Sequence, residues 1–349
     1  MKTTTYLRST LNSTFLLAFF AFLGICQYPP TPLSPCKDHP MVFYSNQNRD
    51  DLRMSAIQAI ESATESIVLA IFDLSDPQIA SALKIKSQEG VSVTVIHDTK
   101  TSRGIAGKLG KKVKRIKRHF KGHMHLKILV VDEKAVWIGS TNMTWSSLNM
   151  HDNLIIGVLS PEIASSALLH IESLKQAKSP TPPSYCQSLI GDQSLELFFL
   201  PKNPKAYKAL LSAIDEAQDT LKVAMFTWTS QELADAVIRA WNRGVKVETV
   251  IDSNSGKGCG SKIVKCLYEA GIPVALSQGI QLLHHKYVYI DEKTLVTGSA
   301  NWTKSAFNNN DDCLLIIRTL NEEQKRFMDK IWEASSLESI NVTPRLIAA

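Results

Sequence analysis

An internal duplication constrains the fold of this 349-residue chain more than any other feature of its sequence. Residues 90–98 recur at 244–252, at an offset of 154. Residues 125–142 recur at 284–301 at an offset of 159, so the second copy has five additional residues before this segment. Two copies of one sequence pattern predict two structural units with the same architecture.

Each copy alternates short apolar runs with stretches of helical periodicity. Residues 67–72 and 221–226 are apolar runs of strand length, whereas residues 76–88 and 231–242 have apolar positions at helical spacing. This alternation predicts an α/β fold in which a largely buried sheet is flanked by helices. We expect the two copies to pack against each other as a pseudo-dimer.

The amino terminus has the features of a targeting segment. Lys2 and Arg8 precede an uncharged apolar run at residues 15–25, which is shorter than the ~20 residues of a membrane-spanning helix. The pattern is typical of a secretory signal or a short anchor and predicts an exported or membrane-associated protein. Cys26 ends the run as in a bacterial lipoprotein signal, but Ile25 stands where a small residue is usual, which argues against a lipid anchor.

Composition also predicts the boundaries of the two units. Prolines are concentrated after the apolar run and again between the copies, as expected for extended connections. The predicted segments are a signal or anchor at 1–27, a Pro-rich tether at 28–39, a first unit at 40–176, a linker at 177–193, a second unit at 194–337 and a tail at 338–349.

The remaining cysteines argue against structural zinc, because they lack the close paired spacing of a zinc site. Cys36 and Cys186 each stand near the start of one half of the chain. A disulfide between them and a pair of free thiols both fit the sequence.

A polar motif occurs once in each copy, with the spacing H-x-K-x4-D-x6-G-S-x-N. It consists of His125, Lys127, Asp132, Gly139, Ser140 and Asn142 in the first copy, and of His284, Lys286, Asp291, Gly298, Ser299 and Asn301 in the second. Its repetition at equivalent positions leaves little room for chance. A histidine and a lysine two residues apart on a strand project from the same face. A turn at the aspartate would bring the serine and the asparagine beside them.

These residue types suit the chemistry of a phosphodiester. Each copy offers an imidazole, a fixed cation and neutral hydrogen-bond donors for the negative charge of the transition state. Two facing half-sites would place one imidazole on each side of phosphorus, as in-line displacement requires. The predicted catalytic residues are His125, Lys127, Ser140, Asn142, His284, Lys286, Ser299 and Asn301. The residues predicted to have structural roles are Asp132, Gly139, Asp291 and Gly298.

The paired motif resembles that of the phospholipase D superfamily, and the resemblance covers roughly residues 40–335. It implies two tandem phospholipase D-like units, each a mixed β-sheet flanked by helices, and a phosphohistidine intermediate formed without a metal ion or other cofactor. It also implies that His125 attacks phosphorus while His284 protonates the leaving oxygen. Because one chain contains both half-sites, we expect a monomer with an internal pseudo-two-fold axis.

The resemblance further implies an acidic residue 28 positions after one histidine that orients the histidine of the other unit. Asp312 stands at this position after His284, but Asn153 stands there after His125, with Asp152 one residue earlier. We therefore expect Asp312 to orient His125 as a catalytic residue. Either Asn153 or Asp152 would be the weaker partner of His284.

The positive charge of the chain is concentrated in one segment. The net charge is +6, yet residues 108–121 alone contain eight Lys or Arg and no acidic residue, and the second copy lacks an equivalent run. A solvated surface segment is one interpretation. Because clustered cations attract anionic surfaces and polymers, we instead expect the run to bind substrate, either a lipid headgroup or a nucleic acid backbone. The predicted substrate-binding residues are Lys111, Lys112, Lys114, Arg115, Lys117 and Arg118.

The sequence favours a phospholipase that cleaves the headgroup phosphodiester of membrane phospholipids to give phosphatidic acid. The apolar amino-terminal segment would hold such an enzyme at a membrane surface, and the chain has no recognised nucleic-acid-binding module. Two alternatives use the same histidines: a nuclease, and a phosphatidyltransferase of the cardiolipin synthase or phosphatidylserine synthase type. A non-catalytic binding protein is disfavoured because both motifs are complete.

Overall fold

Each copy of the duplicated sequence folds into a mixed β-sheet flanked by helices, as predicted. The computed structural model describes residues 33–102, 104–176 and 184–344. The predicted signal or anchor at 1–27, including Cys26, lies outside these residues. Within the described ranges, no helix has both the length and the apolar character that crossing a bilayer requires.

The described part of the first copy forms a seven-stranded sheet with the order β1-β7-β6-β5-β2-β3-β4. Its strands are β1 (Met41–Ser45), β2 (Ser66–Ile71), β3 (Ser92–Asp98), β4 (Lys114–Arg118), β5 (Lys127–Val131), β6 (Ala135–Gly139) and β7 (Leu154–Leu159). β2, β3 and β4 are parallel, whereas β5 is antiparallel to β2. The sheet is therefore mixed, and β4 forms one of its edges.

The described part of the second copy repeats this order and extends it to β16-β12-β11-β10-β13-β14-β15-β9-β8. Its strands are β8 (Tyr185–Ile190), β9 (Gln193–Phe199), β10 (Thr220–Met225), β11 (Lys246–Ile251), β12 (Val274–Ser277), β13 (Lys286–Ile290), β14 (Thr294–Gly298), β15 (Cys313–Arg318) and β16 (Ser339–Asn341). Strands β9 to β15 correspond to the seven of the first sheet. β16 covers β12, whereas no described strand covers the equivalent edge at β4.

Helices flank both sheets. In the first copy they are α1 (Leu52–Glu61), α2 (Pro77–Gln88), α3 (Ile105–Leu109), α4 (Trp145–Asn149) and α5 (Pro161–Gln176). In the second they are α6 (Pro204–Asp215), α7 (Gln231–Asn242), α8 (Ser253–Lys257), α9 (Ser261–Glu269), α10 (Lys304–Asn308) and α11 (Glu322–Leu337). The predicted helices at 76–88 and 231–242 are α2 and α7. Asp76 and Ser230 cap them by accepting hydrogen bonds from backbone N–H groups of the first turn.

Three apolar clusters hold these layers together. One packs the first sheet against α1 and α2, and another packs the second sheet against α6 and α7. The third is shared by both copies and contains residues of β5, β13, α5 and α11, among them Ile128, Val130, Ile171, Tyr287, Tyr289 and Ile331. Because alternate side chains of a strand face opposite sides, each sheet contributes one face to the shared core. This core packs the copies as a pseudo-dimer.

Two segments predicted to lie outside the units belong to the second sheet. β8 falls within the predicted linker and pairs with β9, while β16 falls within the predicted tail and pairs with β12. Exposed and partly buried residues alternate along β8, as expected for an edge strand with one solvated face. Residues 177–183 of the predicted linker lie outside the described residues.

Candidate active site

The two motifs place a histidine and a lysine at the start of β5 and of β13. Lys127 and Lys286 are the first residues of these strands, and His125 and His284 stand two residues earlier. In each copy the lysine Nζ donates a hydrogen bond to the carbonyl oxygen of the histidine, at 2.6 Å and 2.7 Å. Both lysines are buried, so each ammonium group is held beside its imidazole.

Main-chain hydrogen bonds join the half-sites across the pseudo-two-fold axis. The His125 N–H donates to the carbonyl of Asp311 at 2.8 Å, and the His284 N–H donates to the carbonyl of Asp152 at 3.0 Å. Asp311 and Asp152 in turn donate to the segments that precede the histidines, both at 2.9 Å. The backbone of each copy therefore positions the histidine of the other.

Each imidazole also contacts a side chain of the opposite copy. His125 Nδ1 lies 2.7 Å from Asp312 Oδ1, and His284 Nδ1 lies 2.9 Å from Asn153 Oδ1. Of the two candidate partners of His284, the side chain of Asn153 therefore contacts the imidazole, whereas Asp152 contacts His284 only through its main-chain carbonyl. Burial by itself would raise the pKa of Asp312, but His125 and Lys127 outweigh burial and hold this pKa below its usual value.

The motif serines differ from the prediction that they face the substrate. Ser140 Oγ donates to Asn153 Oδ1 at 2.8 Å, and Ser299 Oγ donates to Asp312 Oδ1 at 2.6 Å. Both serines are completely buried, and each accepts a hydrogen bond from the N–H of the residue after its partner. Because a hydroxyl has one proton to donate, the serines hold Asn153 and Asp312 in place instead of binding phosphoryl oxygens.

The motif glycines allow this close packing. A Cβ atom at Gly139 would lie 2.1 Å from the carbonyl oxygen of Leu154, and one at Gly298 would lie 2.5 Å from that of Cys313. The next strand therefore approaches each glycine so closely that no side chain fits. Only this approach brings the neighbouring serine hydroxyl against its partner.

The motif aspartates lie at tight turns, at the opposite ends of β5 and β13 from the histidines. Asp132 and Glu133 have φ values of 51° and 55°, and Asp291 and Glu292 have φ values of 51° and 52°. Two successive residues in the left-handed region form the turn that hairpins favour. Each carboxylate accepts hydrogen bonds from the N–H groups of three successive residues, 64–66 or 218–220. These contacts fit a structural role.

Asn142 and Asn301 follow β6 and β14 and are partly exposed. In both residues Oδ1 is buried and has no hydrogen-bond partner among the described residues. No described residue accepts a hydrogen bond from either Nδ2, so both amide groups are available to a ligand as donors.

Two aromatic residues that were not predicted complete the half-sites. The rings of Phe72 and Phe226 lie 5.0 Å and 4.9 Å from the imidazole rings of His125 and His284. The ammonium groups of the two motif lysines lie 5.0 Å and 4.8 Å from the same rings, a cation–π distance. The signal was present in the sequence, because both repeated runs, 67–72 and 221–226, end in phenylalanine.

Asp98 and Asp252 were also missed as positioning residues. Their carboxylates accept hydrogen bonds from the N–H groups of Met124, at 2.9 Å, and Leu283, at 3.2 Å. These are the residues directly before His125 and His284. The repeated segments 90–98 and 244–252 both end in aspartate, which was the available signal.

Burial and mutual repulsion depress the pKa values of the basic groups. Burial lowers the pKa of Lys127 to about 7, although Asp312 partly opposes this effect. Burial, followed by the charge of Lys127, lowers the pKa of Lys286 well below its usual value. Burial is also the main cause that lowers the pKa of His125 and His284, and Lys286 and Lys127 lower that of His284 further. Four basic groups close enough to repel one another form a site suited to an anion.

Most of the basic run lies on the edge strand β4 and the segment before it. The exposed residues are Lys111, Lys112, Lys114, Arg115 and Lys117. Arg118 differs from the prediction, because it is buried and its Nε lies 2.9 Å from Asp311 Oδ2 in an ion pair. The guanidinium also donates to the carbonyl of Leu174 at 3.3 Å. Because its guanidinium is engaged in these buried contacts, Arg118 is not among the exposed cations of the run.

The second copy lacks the equivalent of this ion pair. Ser277 occupies the position in β12 that Arg118 has in β4, and Asp152 occupies the position of Asp311. Asp152 is only 7% exposed, and its carboxyl has no hydrogen bond or ion pair with any described residue. Burial, together with the charges of Glu338 and Asp252, raises the pKa of Asp152 to about 7.

The ranges 33–102, 104–176 and 184–344 contain neither a candidate metal-binding cluster nor a disulfide. No group of three or more His, Cys, Asp or Glu side chains in these ranges is arranged to hold a metal ion. Cys36 and Cys186 are both free thiols, so the structure has no disulfide between them.

Comparison with known proteins identifies the duplicated unit. A family model described as "Cardiolipin synthase, PLD-like domain" matches residues 56–175 and 210–333. The chain is 35% identical to the mitochondrial cardiolipin hydrolase of Mus musculus over 137 residues, which is 38% of this chain and 61% of that protein. It is 27% identical to a phospholipase D of Rickettsia bellii over 157 residues, which is 45% of this chain and 68% of that protein.

The similarity to the curated relatives covers only part of the length of those proteins. The chain spans 61%, 53% and 54% of the mouse, dog and human cardiolipin hydrolases that it matches. Among solved structures, the phosphatidylserine synthase of Haemophilus influenzae Rd KW20 is similar with a TM-score of 0.68, over 89% of both chains and at 13% identity. This last similarity concerns the fold of both copies together.

Proposed function

Because this chain belongs to the phospholipase D superfamily, we propose that it hydrolyses the headgroup phosphodiester of a membrane phospholipid. The observation that carries the proposal is the convergence of two complete half-sites in which each histidine is held by the opposite copy. The names of the relatives, cardiolipin hydrolase and phospholipase D, support a lipid substrate.

In the first step His125 is the nucleophile. Its Nδ1–H donates to the Asp312 carboxylate at 2.7 Å, which leaves the lone pair on Nε2 for attack on phosphorus. A bond forms between Nε2 and phosphorus while the bond from phosphorus to the headgroup oxygen breaks. Asp312 stabilises the positive charge that develops on the imidazole, as a carboxylate does in other histidine-based sites.

His284 supplies the proton that the departing headgroup oxygen requires. Its partner Asn153 is neutral, and an amide stabilises an imidazolium less than a carboxylate does. The imidazolium is therefore a stronger acid, which favours transfer of its Nε2 proton to the leaving alcohol. A substrate anion bound beside His284 would raise the pKa of this residue, so that the imidazole is protonated before the reaction begins.

The lysines and asparagines bind the non-bridging oxygens. Lys127 and Lys286 each use one N–H on the histidine carbonyl, so two N–H groups of each ammonium remain for the phosphoryl group. The Nδ2 groups of Asn142 and Asn301 add neutral donors. Preorganised donors of this kind stabilise transition-state charge without reorganisation during the reaction.

In the second step His284, now neutral, accepts a proton from water. The water oxygen attacks phosphorus, the bond from phosphorus to His125 breaks, and phosphatidic acid is released. An alcohol can replace water in this step, which would give a new phosphodiester. We infer that the apolar segment at 15–25 helps to hold the enzyme at a membrane.

The test uses the full chain and its His125→Ala variant with phospholipid vesicles, ethanol and a chelator. We expect the wild type to form phosphatidylethanol and the variant to form none. Parallel reactions contain single-stranded and plasmid DNA. Cleavage of DNA with intact lipid would show that the substrate is a nucleic acid and would refute the proposal.

A further inference from the structure

We propose that the two loops leading to the catalytic histidines form a bilayer-docking surface, cationic on the side of His125 and apolar on the side of His284. The occupant is a bilayer that contains anionic phospholipid. This inference rests on the proposed function only in taking the bilayer to be the source of the substrate. Binding itself is measured independently of turnover.

The cationic side continues the basic run beyond β4. The exposed basic residues of this strand are followed by Lys121, which is also exposed and stands four residues before His125. The chain is held against the other copy here, because a Cβ atom at Gly122 would lie 2.0 Å from the carbonyl oxygen of Asn309. The positive charge therefore reaches the mouth of the cleft.

The apolar side is formed by the equivalent loop of the second copy. Ile280 stands four residues before His284, the position that Lys121 has in the first copy, and it is 90% exposed. The Gln278 N–H donates to the carbonyl of Glu338 at 2.7 Å, which brings the end of α11 beside this loop. Leu337, directly before Glu338, is 79% exposed.

Ile340 extends the apolar side along β16. It is 49% exposed, and β16 pairs with β12, the strand that leads into this loop. Large apolar side chains in neighbouring exposed positions indicate an interaction surface, whereas single ones do not.

Because of the pseudo-two-fold symmetry, the cationic side and the apolar side of the docking surface lie at the same height along the axis. Residues related by a two-fold axis lie at equal heights along it, and the reciprocal hydrogen bonds of His125 and His284 show that this axis passes between the half-sites. Lys121 and Ile280 therefore flank the cleft at equal depth. One flat surface can contact both, with the reactive phosphodiester between them.

The chemistry of both sides favours a bilayer over a nucleic acid strand. Lysine and arginine near an anionic membrane attract it, and isoleucine and leucine can enter the boundary between headgroups and acyl chains. A single-stranded nucleic acid would instead require aromatic side chains on which bases stack, and the apolar side is aliphatic. Cations on β4 also discourage strand pairing at an open edge, but this role accounts neither for Lys121 beyond the strand nor for Ile280.

The test measures binding to vesicles of phosphatidylcholine with and without one-fifth cardiolipin, in the His125→Ala background. The full chain is compared with residues 33–349, which contain both sheets and all three apolar cores, so that the contribution of the amino-terminal segment is known. Thermal unfolding checks that each variant is folded. Single-stranded RNA is the competing ligand.

The cationic side is tested by replacing Lys114, Lys117 and Lys121 together with alanine. Each basic residue near an anionic bilayer contributes about fivefold to binding, so we expect a loss of roughly a hundredfold with cardiolipin. The matched control replaces Lys134, Lys246 and Lys293, which are exposed at the strand ends remote from the histidines. We expect the control to bind as the parent does.

The apolar side is tested by Ile280→Asp and Leu337→Asp. We expect each to weaken vesicle binding at least tenfold, whereas Leu189→Asp, on the outer edge strand β8 and 73% exposed, should have no effect. Equal binding by all variants would overturn the proposal. The proposal would also be overturned if RNA binding depended on the three lysines while Ile280→Asp did not change binding to vesicles. Vesicle binding that depends on both sides, without any lipid turnover by wild type, would refute the proposed function and leave the docking surface standing.

Discussion

Asp152 and Asp311 occupy equivalent positions in the two copies, but within the described residues only Asp311 forms an ion pair. We predict that Asp152→Asn stabilises the protein at pH 8 and that Asp311→Asn destabilises it. The two substitutions are chemically identical and differ only in the environment of the carboxyl group. They therefore isolate the effect of Arg118, which stands opposite Asp311 and is replaced by Ser277 opposite Asp152.

The expected stabilisation by Asp152→Asn follows from the pKa of the Asp152 carboxyl group. Burial and two neighbouring acids raise this pKa from 3.8 to about 7, and a shift of one unit corresponds to about 1.4 kcal/mol. A carboxyl group with a raised pKa in the folded state binds its proton more tightly there than in the unfolded chain. Its ionisation therefore costs stability progressively as pH rises from about 4 to 7. At pH 8 the asparagine variant should be more stable by about 2 to 4 kcal/mol.

The expected destabilisation by Asp311→Asn follows from the burial of Arg118, the partner of Asp311 in the ion pair. Arg118 is 2% exposed, and removing one member of a buried ion pair leaves an uncompensated charge that costs about 3–5 kcal/mol. Unlike the effect at Asp152, this loss should change little between pH 5 and pH 8, because an arginine stays protonated throughout this range.

Urea denaturation of both variants and wild type at pH 5, 6, 7 and 8 measures these free energies of unfolding. The difference between Asp152→Asn and wild type should grow by about 1.4 kcal/mol per pH unit between pH 5 and pH 6 and level off above the folded-state pKa of about 7. A destabilisation by Asp152→Asn that is the same at pH 5 and pH 8 would refute the reasoning. It would mean that the Asp152 carboxyl has a favourable partner in the folded state.

Three further predictions concern catalysis and packing. Replacing Asp312 by Ala should lower kcat about a thousandfold, and replacing Asn153 by Ala should cost far less; equal losses in steady-state assays would contradict the asymmetric roles. Binding of inorganic phosphate should be accompanied by proton uptake near pH 7, because the anion raises the depressed pKa of Lys127. Calorimetry in buffers of different ionisation enthalpy measures the number of protons taken up. Phosphate binding without proton uptake would contradict the prediction. Gly139→Ala should lower the free energy of unfolding by more than about 2 kcal/mol, since its Cβ meets a backbone carbonyl; a Tm like that of wild type would show that the strands can separate there.

Local patterns in the sequence were enough to predict the elements that carry the site. The helix at 231–242 was predicted at the positions of α7, and the turns at Asp132 and Asp291 occur where the apolar runs end. These features depend on side chains a few residues apart, whose periodicity and turn preferences act within one element. Repetition of the motif also predicted two half-sites, without knowledge of their arrangement.

Contacts between the copies could not be read from such patterns. The contact of the His284 imidazole with the side chain of Asn153, and not with that of Asp152, depends on which of two adjacent side chains faces the other copy, across 131 positions of sequence. The buried roles of Ser140 and Ser299 depend on how closely the next strand approaches.

By itself, therefore, the sequence determined the duplicated α/β architecture and the chemical groups of the site, because repetition and short-range periodicity are written in residue order. Only the tertiary structure decided which groups meet. It buried Arg118 against Asp311, and it gave the Asp152 carboxyl no cationic partner among the described residues. The physical reason is that these pairings form only where the two sheets pack against each other. They therefore depend on side chains that are far apart in the sequence, and no local pattern of residues records them.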